Sequence, residues 1–246
     1  VTVFSCEDIS QPARNDVGVT AMRDYFARRF DDIRVIAYVR PPQSFINSAF
    51  QQKVKSGGID EIDVTRLWPN YRQRFERLDR AFGRQNVTLV KFDRESLHEG
   101  DVVADFLQRS GLSGRRAPTR HVNDSLSLEA LALLFAHRRL AGGMKKGFAT
   151  ATQQNNAMVH HLAGIKGGKF ELSARLIKEA LAENAADLAW MEERLGDPLA
   201  EKLVAHDGQI ESEADLLKVA GRAMGDLVAL LGALSERRAI PEERRL

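Results

Sequence analysis

Apolar and polar positions alternate along the chain in two rhythms. Val1-Thr2-Val3-Phe4 is β-prone and predicts a strand that ends at Ser5-Cys6-Glu7. From Val17 to Phe30, the residues Val19, Met22, Tyr25, Phe26 and Phe30 share one stripe, with Arg23, Arg28 and Arg29 outside it, which predicts a helix. Ile33 to Val39 is apolar apart from Arg34 and predicts a strand buried on both faces, as in a parallel sheet. Pro41 and Pro42 lack N–H groups that a first helical turn leaves unpaired, so a helix is predicted from there to Lys55, closed by Ser56-Gly57-Gly58. Tyr71, Phe75, Leu78 and Phe82 predict a helix that Gly83 ends. Val87 to Phe92 predicts a strand, and Val102 to Leu112 a helix with Val103, Phe106 and Leu107 facing inward. The order β-α-β-α-α-β-α points to an α/β fold, a parallel sheet flanked by helices.

The second half reads as helical. A basic stretch, Arg115-Arg116-Ala117-Pro118-Thr119-Arg120-His121, leads to Ser125 and Ser127, either of which suits a helix N-cap. Helices are predicted over Leu128 to Leu140, Ala151 to Leu162, Ser173 to Leu195 and Glu213 to Leu234, separated by glycine-rich breaks. The expected organisation is one domain over 1–246, with an α/β part (1–113) and a mostly helical part (114–246).

Composition adds limits. The 246 residues are 43% hydrophobic and 28% charged, an ordinary globular balance. A formal charge of +2 makes no general nucleic-acid surface, so an anion site must come from a local cluster. Cys6 is the only cysteine, which excludes an intrachain disulfide and fits a reducing, cytoplasmic setting. No apolar run is long enough to cross a bilayer, so no membrane partner is expected. His121, His160 and His161 have no ligand spacing, and no metal is expected.

The chemistry concentrates at one junction. Arg40 ends the central strand, where α/β proteins bind ligands, and its guanidinium forks onto phosphate oxygens. Ser48 follows eight residues later, roughly ten ångströms along the helix at about 1.5 Å per residue. On spacing alone two readings stand. The pair is an anion site, or Arg40 meets a surface carboxylate and Ser48 packs. Trp68 and Tyr71 have two readings as well, acceptor-pocket walls or core.

The segment Tyr38-Val39-Arg40-Pro41-Pro42-Gln43-Ser44-Phe45-Ile46-Asn47-Ser48 through Gln51-Gln52-Lys53-Val54-Lys55 resembles the 3′-phosphate-binding segment of bacterial sulfotransferases. Ser5-Cys6-Glu7, Val87 to Leu112 and Arg120 to Ser127 resemble the same family, and the likeness thins beyond Leu134. The resemblance implies a sulfotransferase or P-loop nucleotide-kinase-like fold. It also implies 3′-phosphoadenosine 5′-phosphosulfate (PAPS) as co-substrate, a hydroxyl-bearing small molecule or glycan as acceptor, and no metal. Arg40 and Ser48 would hold the donor's 3′-phosphate, with Arg120 adding charge, and Glu7 would stand where the family places its catalytic base. The family's lysine- and threonine-bearing loop for the 5′-phosphosulfate has no counterpart here, so an upstream stretch is expected. The chain alone is not expected to transfer sulfuryl groups well. Two rivals remain: a non-catalytic nucleotide-binding or interaction protein of the same fold, and a related phosphotransferase.

Overall fold

The computed structural model describes residues 1–10, 16–58, 61–112, 125–140 and 149–228, with the side chains of residues 7, 8 and 149–151 outside that description. It is a mixed α/β protein with a two-stranded parallel sheet flanked by helices. The chain groups into two compact units that interleave in sequence: Val1–Phe45, Trp68–Arg120 and Glu179–Lys202 form the first, and Ile46–Leu67, His121–Lys178 and Leu203–Leu246 the second.

In the first unit, β1 (Val35–Val39) and β2 (Val87–Lys91) run parallel, with Val35 opposite Val87 and Val39 opposite Lys91. β-Branched valines and isoleucine supply most of β1, and parallel pairing needs a long connection between the strands. Helices α1 (Asp16–Ala27), α2 (Pro42–Lys55), α3 (Tyr71–Phe82) and α4 (Val102–Arg109) follow in order, α2 continuing into the second unit. The expected strand at Val1-Thr2-Val3-Phe4 does not form. A strand must pair its N–H and C=O groups, and among the described residues none pairs with this segment. Phe4 instead lays its ring 4.6 Å from Phe26, centroid to centroid, and 6.2 Å from Phe30.

The pattern also misjudged α4. Its most buried side chain is not an apolar one but Asp105. The Tyr38 hydroxyl donates to Asp105 Oδ1 at 2.9 Å, Arg109 Nε donates to the same oxygen, and the His98 N–H donates to Oδ2. Burial alone would raise this carboxyl, but these three donors hold it below its usual range. Tyr38 shifts the other way, pushed up first by burial and then by Asp105.

The predicted single helix from Ser173 to Leu195 is two helices, α7 (Ala174–Glu183) and α8 (Ala185–Leu195). Asn184 breaks it. Its backbone leaves helical geometry at φ −113° and ψ 22°, and its side-chain amide donates to the Ala180 carbonyl at 2.8 Å. Asparagine offers the backbone this kind of competing bond. From α8, Arg194 forks onto Asp79 of α3 at 2.7 and 2.8 Å and donates to the Val87 carbonyl at 2.9 Å. The two side chains are 11% and 14% exposed. Removing one member of so buried a pair costs about 3–5 kcal/mol, because the other is left without its partner.

In the second unit, α5 (Leu128–Leu140) is buried through an uninterrupted run from Ala130 to Phe135. A helix apolar all round belongs inside, and α6 (Ala149–Leu162) and α9 (Glu213–Arg222) pack on it. Ser127, one of the two expected caps, fills that role: its hydroxyl accepts from the Ala130 N–H at 3.1 Å. Phe50 of α2 is 0% exposed, stacks on Phe170 at 5.1 Å and 14°, and lies 6.1 Å from Phe135. The C-terminal end of α2 turns through Gly57 at φ 71°, with Gly58 N–H bonded to Lys53 O and Gly57 N–H to Val54 O. Buried Arg138 donates to the Val54 carbonyl and to Asn155 Oδ1, and Asn155 donates to Lys55 O. A cation at the carbonyl end of a helix complements its dipole, which suits a buried arginine whose partners among the described residues are neutral oxygens.

Phe50→Ala should destabilise the protein by about 3–5 kcal/mol through lost burial and the cavity left behind. Denaturant unfolding followed with hydrogen exchange in residues 128–135 checks it. A loss below about 1 kcal/mol would show that the three-ring cluster is not the core of this unit.

Candidate functional site

The C-terminal ends of β1 and β2 build the site within the first unit. Val39 is buried, and the next residue, Arg40, is half-buried. The Phe92 N–H donates to the Val39 carbonyl at 2.8 Å, which carries the pairing one step past β2. The Phe92 ring then lies under the Arg40 guanidinium, 5.2 Å from its centroid. Among the described residues no carboxylate pairs with Arg40. Its backbone is fixed by Tyr71, which is 1% exposed and whose hydroxyl donates to the Arg40 carbonyl at 2.8 Å.

Tyr71 is itself held from a distance. Asn70, just before α3, sits in the left-handed region at φ 53° and makes no side-chain cap. Asp187 of α8 caps the helix instead: Oδ2 accepts from Tyr71 N–H at 2.8 Å and Trp68 Nε1 at 2.6 Å, and Oδ1 accepts from Arg72 N–H at 2.8 Å. Burial raises the Tyr71 phenol far above its ordinary range, and the Glu201 and Asp187 carboxylates add to the shift. Trp68 and Tyr71 are therefore core residues of this unit, tied to a buried polar network.

The start of α2 offers an anion little backbone. Pro41 and Pro42 have no N–H, the Phe45 N–H goes to the Pro41 carbonyl, and the Ser44 N–H donates to Glu201 Oε2 at 2.9 Å. A carboxylate thus already occupies the positive end of the helix. An anion arriving here would be met by side chains, Arg40 above all. Lys91 at the end of β2 is engaged, donating to the Pro198 carbonyl at 2.8 Å.

Ser48 stands on the second unit's portion of α2, half-buried, and among the described residues its hydroxyl has no hydrogen-bond partner. Glu7 starts a short 3-10 turn, Glu7–Ser10, but its side chain lies outside the described residues. Arg120 lies outside them too, with Arg115, Arg116, His121, Lys145 and Lys146. His160 and His161 are exposed on the last turn of α6, and among the described residues no cluster of three or more His, Cys, Asp or Glu could hold a metal. Among the described residues no helix is long and apolar enough to cross a membrane.

Comparison with known proteins adds little to this picture. No protein-family model matches the chain, and no solved structure matches it. An uncharacterized protein of Archaeoglobus fulgidus is 27% identical over 115 residues, 45% of this chain and 32% of that protein. The match thus spans about a third of the relative's length.

Tyr71→Phe keeps the ring and removes only the bond to Arg40. It should cost about 1–2 kcal/mol of stability, the penalty of leaving a buried carbonyl unpaired. Unchanged denaturant midpoints would mean that water replaces the hydroxyl and that Tyr71 does not position the strand end.

Proposed function

We propose that the β1–α2 junction binds the 3′-phosphate of an adenosine 3′,5′-bisphosphate-type nucleotide, and that the chain belongs to a sulfotransferase-like α/β fold related to the P-loop nucleotide kinases. The observation that carries this reading is Arg40: an arginine at the C-terminal end of a parallel strand, steadied by Phe92 and Tyr71, with no carboxylate partner among the described residues. A guanidinium so placed is suited to a phosphate. Ser48, eight residues on in the chain, is the second phosphate contact that this reading implies. In the full protein the donor would be PAPS and the acceptor a hydroxyl-bearing small molecule or glycan. Glu7 is the proposed base and Arg120 a further phosphate contact.

A second reading, nucleotide binding without transfer, draws on the loops after the two described strands. After β1 come Arg40-Pro41-Pro42, and after β2 Phe92-Asp93-Arg94-Glu95, where Asp93 accepts from the Glu95 N–H. Neither loop carries the lysine and small hydroxyl residues that cradle a transferring group.

Titration calorimetry separates these ideas. Adenosine 3′,5′-bisphosphate should bind at least about tenfold more tightly than adenosine 5′-monophosphate, the worth of one charge-assisted contact. Arg40→Ala should abolish the difference. Equal affinities in the parent protein would overturn the assignment of Arg40 and Ser48. Turnover with PAPS in a longer chain, lost in Glu7→Gln, would favour transfer over binding alone.

A further inference from the structure

His206 belongs to the second unit, on the segment 203–208 that ends at Gly208, whose φ is 90°. Its side chain is 52% exposed, yet both ring nitrogens are engaged. Nε2 lies 2.9 Å from Glu171 Oε2, and Nδ1 lies 3.0 Å from the Asp207 backbone carbonyl. Both partners can only accept. A neutral imidazole carries a single N–H and satisfies one of them, while the imidazolium satisfies both.

The anchor at Glu171 is firm. Its Oε1 accepts from Lys169 Nζ at 2.6 Å, its backbone carbonyl accepts from the Ile210 N–H at 2.9 Å, and the Ser173 N–H donates to the Ile210 carbonyl at 2.9 Å. Leu172 and Ile210 form a parallel bridge beside these bonds. Within the neighbouring turn, the Gln209 amide donates to the Val204 carbonyl at 3.0 Å. Among the described residues, the charged groups at His206 are Glu171 on the facing segment, with Lys169 bonded to it, and Asp207 on its own. Arg175 at the start of α7 pairs with Glu211 at 3.6 Å.

We infer that His206 is a pH-operated clasp: as imidazolium it holds Glu171 and the Asp207 carbonyl together, and when it loses its proton one of the two contacts is given up and the segment 203–208 is loosened. A nitrogen without its proton would turn a lone pair toward an oxygen that is itself an acceptor, so one of the two contacts must break. Lys169 remains on Glu171 through this change, which confines the opening to the 203–208 side. A ring engaged at both nitrogens has no lone pair to offer a substrate, so this histidine is no general base while the clasp is closed.

The electrostatics agree in sign. The Asp207 carbonyl, and after it the Glu171 carboxylate, hold the His206 imidazolium above its usual range. The clasp's contribution is therefore fully present below the ordinary imidazole value of about 6.5 and is lost as pH rises through the raised value. Glu171 is held low, by Lys169 first and against the effect of burial, with His206 adding to it. Its contribution is present above the ordinary glutamate value of about 4.3 and is lost as pH falls through the lowered one. The closed window lies between the two folded-state titrations.

Nuclear magnetic resonance on the whole chain tests this, with the His206 ring assigned by comparison with His206→Gln. Below its midpoint both ring nitrogens should carry protons, and the midpoint should exceed about 6.5. Glu171→Gln should lower it toward that value. Amide protection factors in 203–209 should fall by about threefold or more across the midpoint, while those of α5 stay constant. A midpoint at or below about 6.5 in the parent chain, or protection in 203–209 that ignores the titration, overturns the clasp without any variant being needed.

Discussion

One carboxylate organises the first unit. Asp187 reaches from α8 to the amino end of α3 and takes two backbone N–H groups and the Trp68 indole. The helix cannot cap itself, because Asn70 is held left-handed and directs its amide to the Trp68 carbonyl at 3.0 Å. Helix starts need an acceptor for their unpaired donors. Here it comes from 116 residues further along the chain. Tyr71, the first residue of that helix, then fixes the Arg40 carbonyl. The position of the proposed phosphate ligand is thus set by an acid on another helix, through a phenol that burial keeps protonated.

The apolar rhythm of the chain was enough to locate β1, β2, α2, α3 and α5 nearly to the residue, because each is marked by a continuous apolar run or a periodic apolar face. It failed where tertiary partners override local preference. Val1 to Phe4 has strand composition but finds no pairing edge among the described residues, so its aromatic ring packs on α1 instead. Leu176 to Leu195 keeps an apolar pattern straight through Asn184, yet the break is made by a side-chain amide that periodicity does not register. In α4 the buried residue is an aspartate, legible only once Tyr38, Arg109 and the His98 N–H are seen around it.

The site shows the same division. Arg40 and Ser48 could be singled out from type and spacing. Phe92, Tyr71 and Glu201 could not, since what they contribute is proximity. Glu201 matters most, because it meets a backbone N–H in the first turn of α2 that an anion would otherwise use. With a carboxylate at one end and buried Arg138 at the other, the dipole of α2 is matched by protein charges at both termini. Under the proposed reading, recognition at this junction would fall to side chains and would be sensitive to single substitutions.

The interleaving of the two units bears on how the chain can come into being. The strand pair is complete by Lys91, but the acid that caps α3 and the arginine that locks α3 to β2 arrive only with α8. Before residue 202 has left the ribosome the first unit has its sheet and lacks its fasteners. The second unit has begun by then and waits for α9 to cover α5. Contacts this distant in sequence form slowly and leave apolar surface open in the meantime. No single cut yields either unit as a continuous piece, so a shortened chain carrying only the Arg40 junction would be born without the means to hold it.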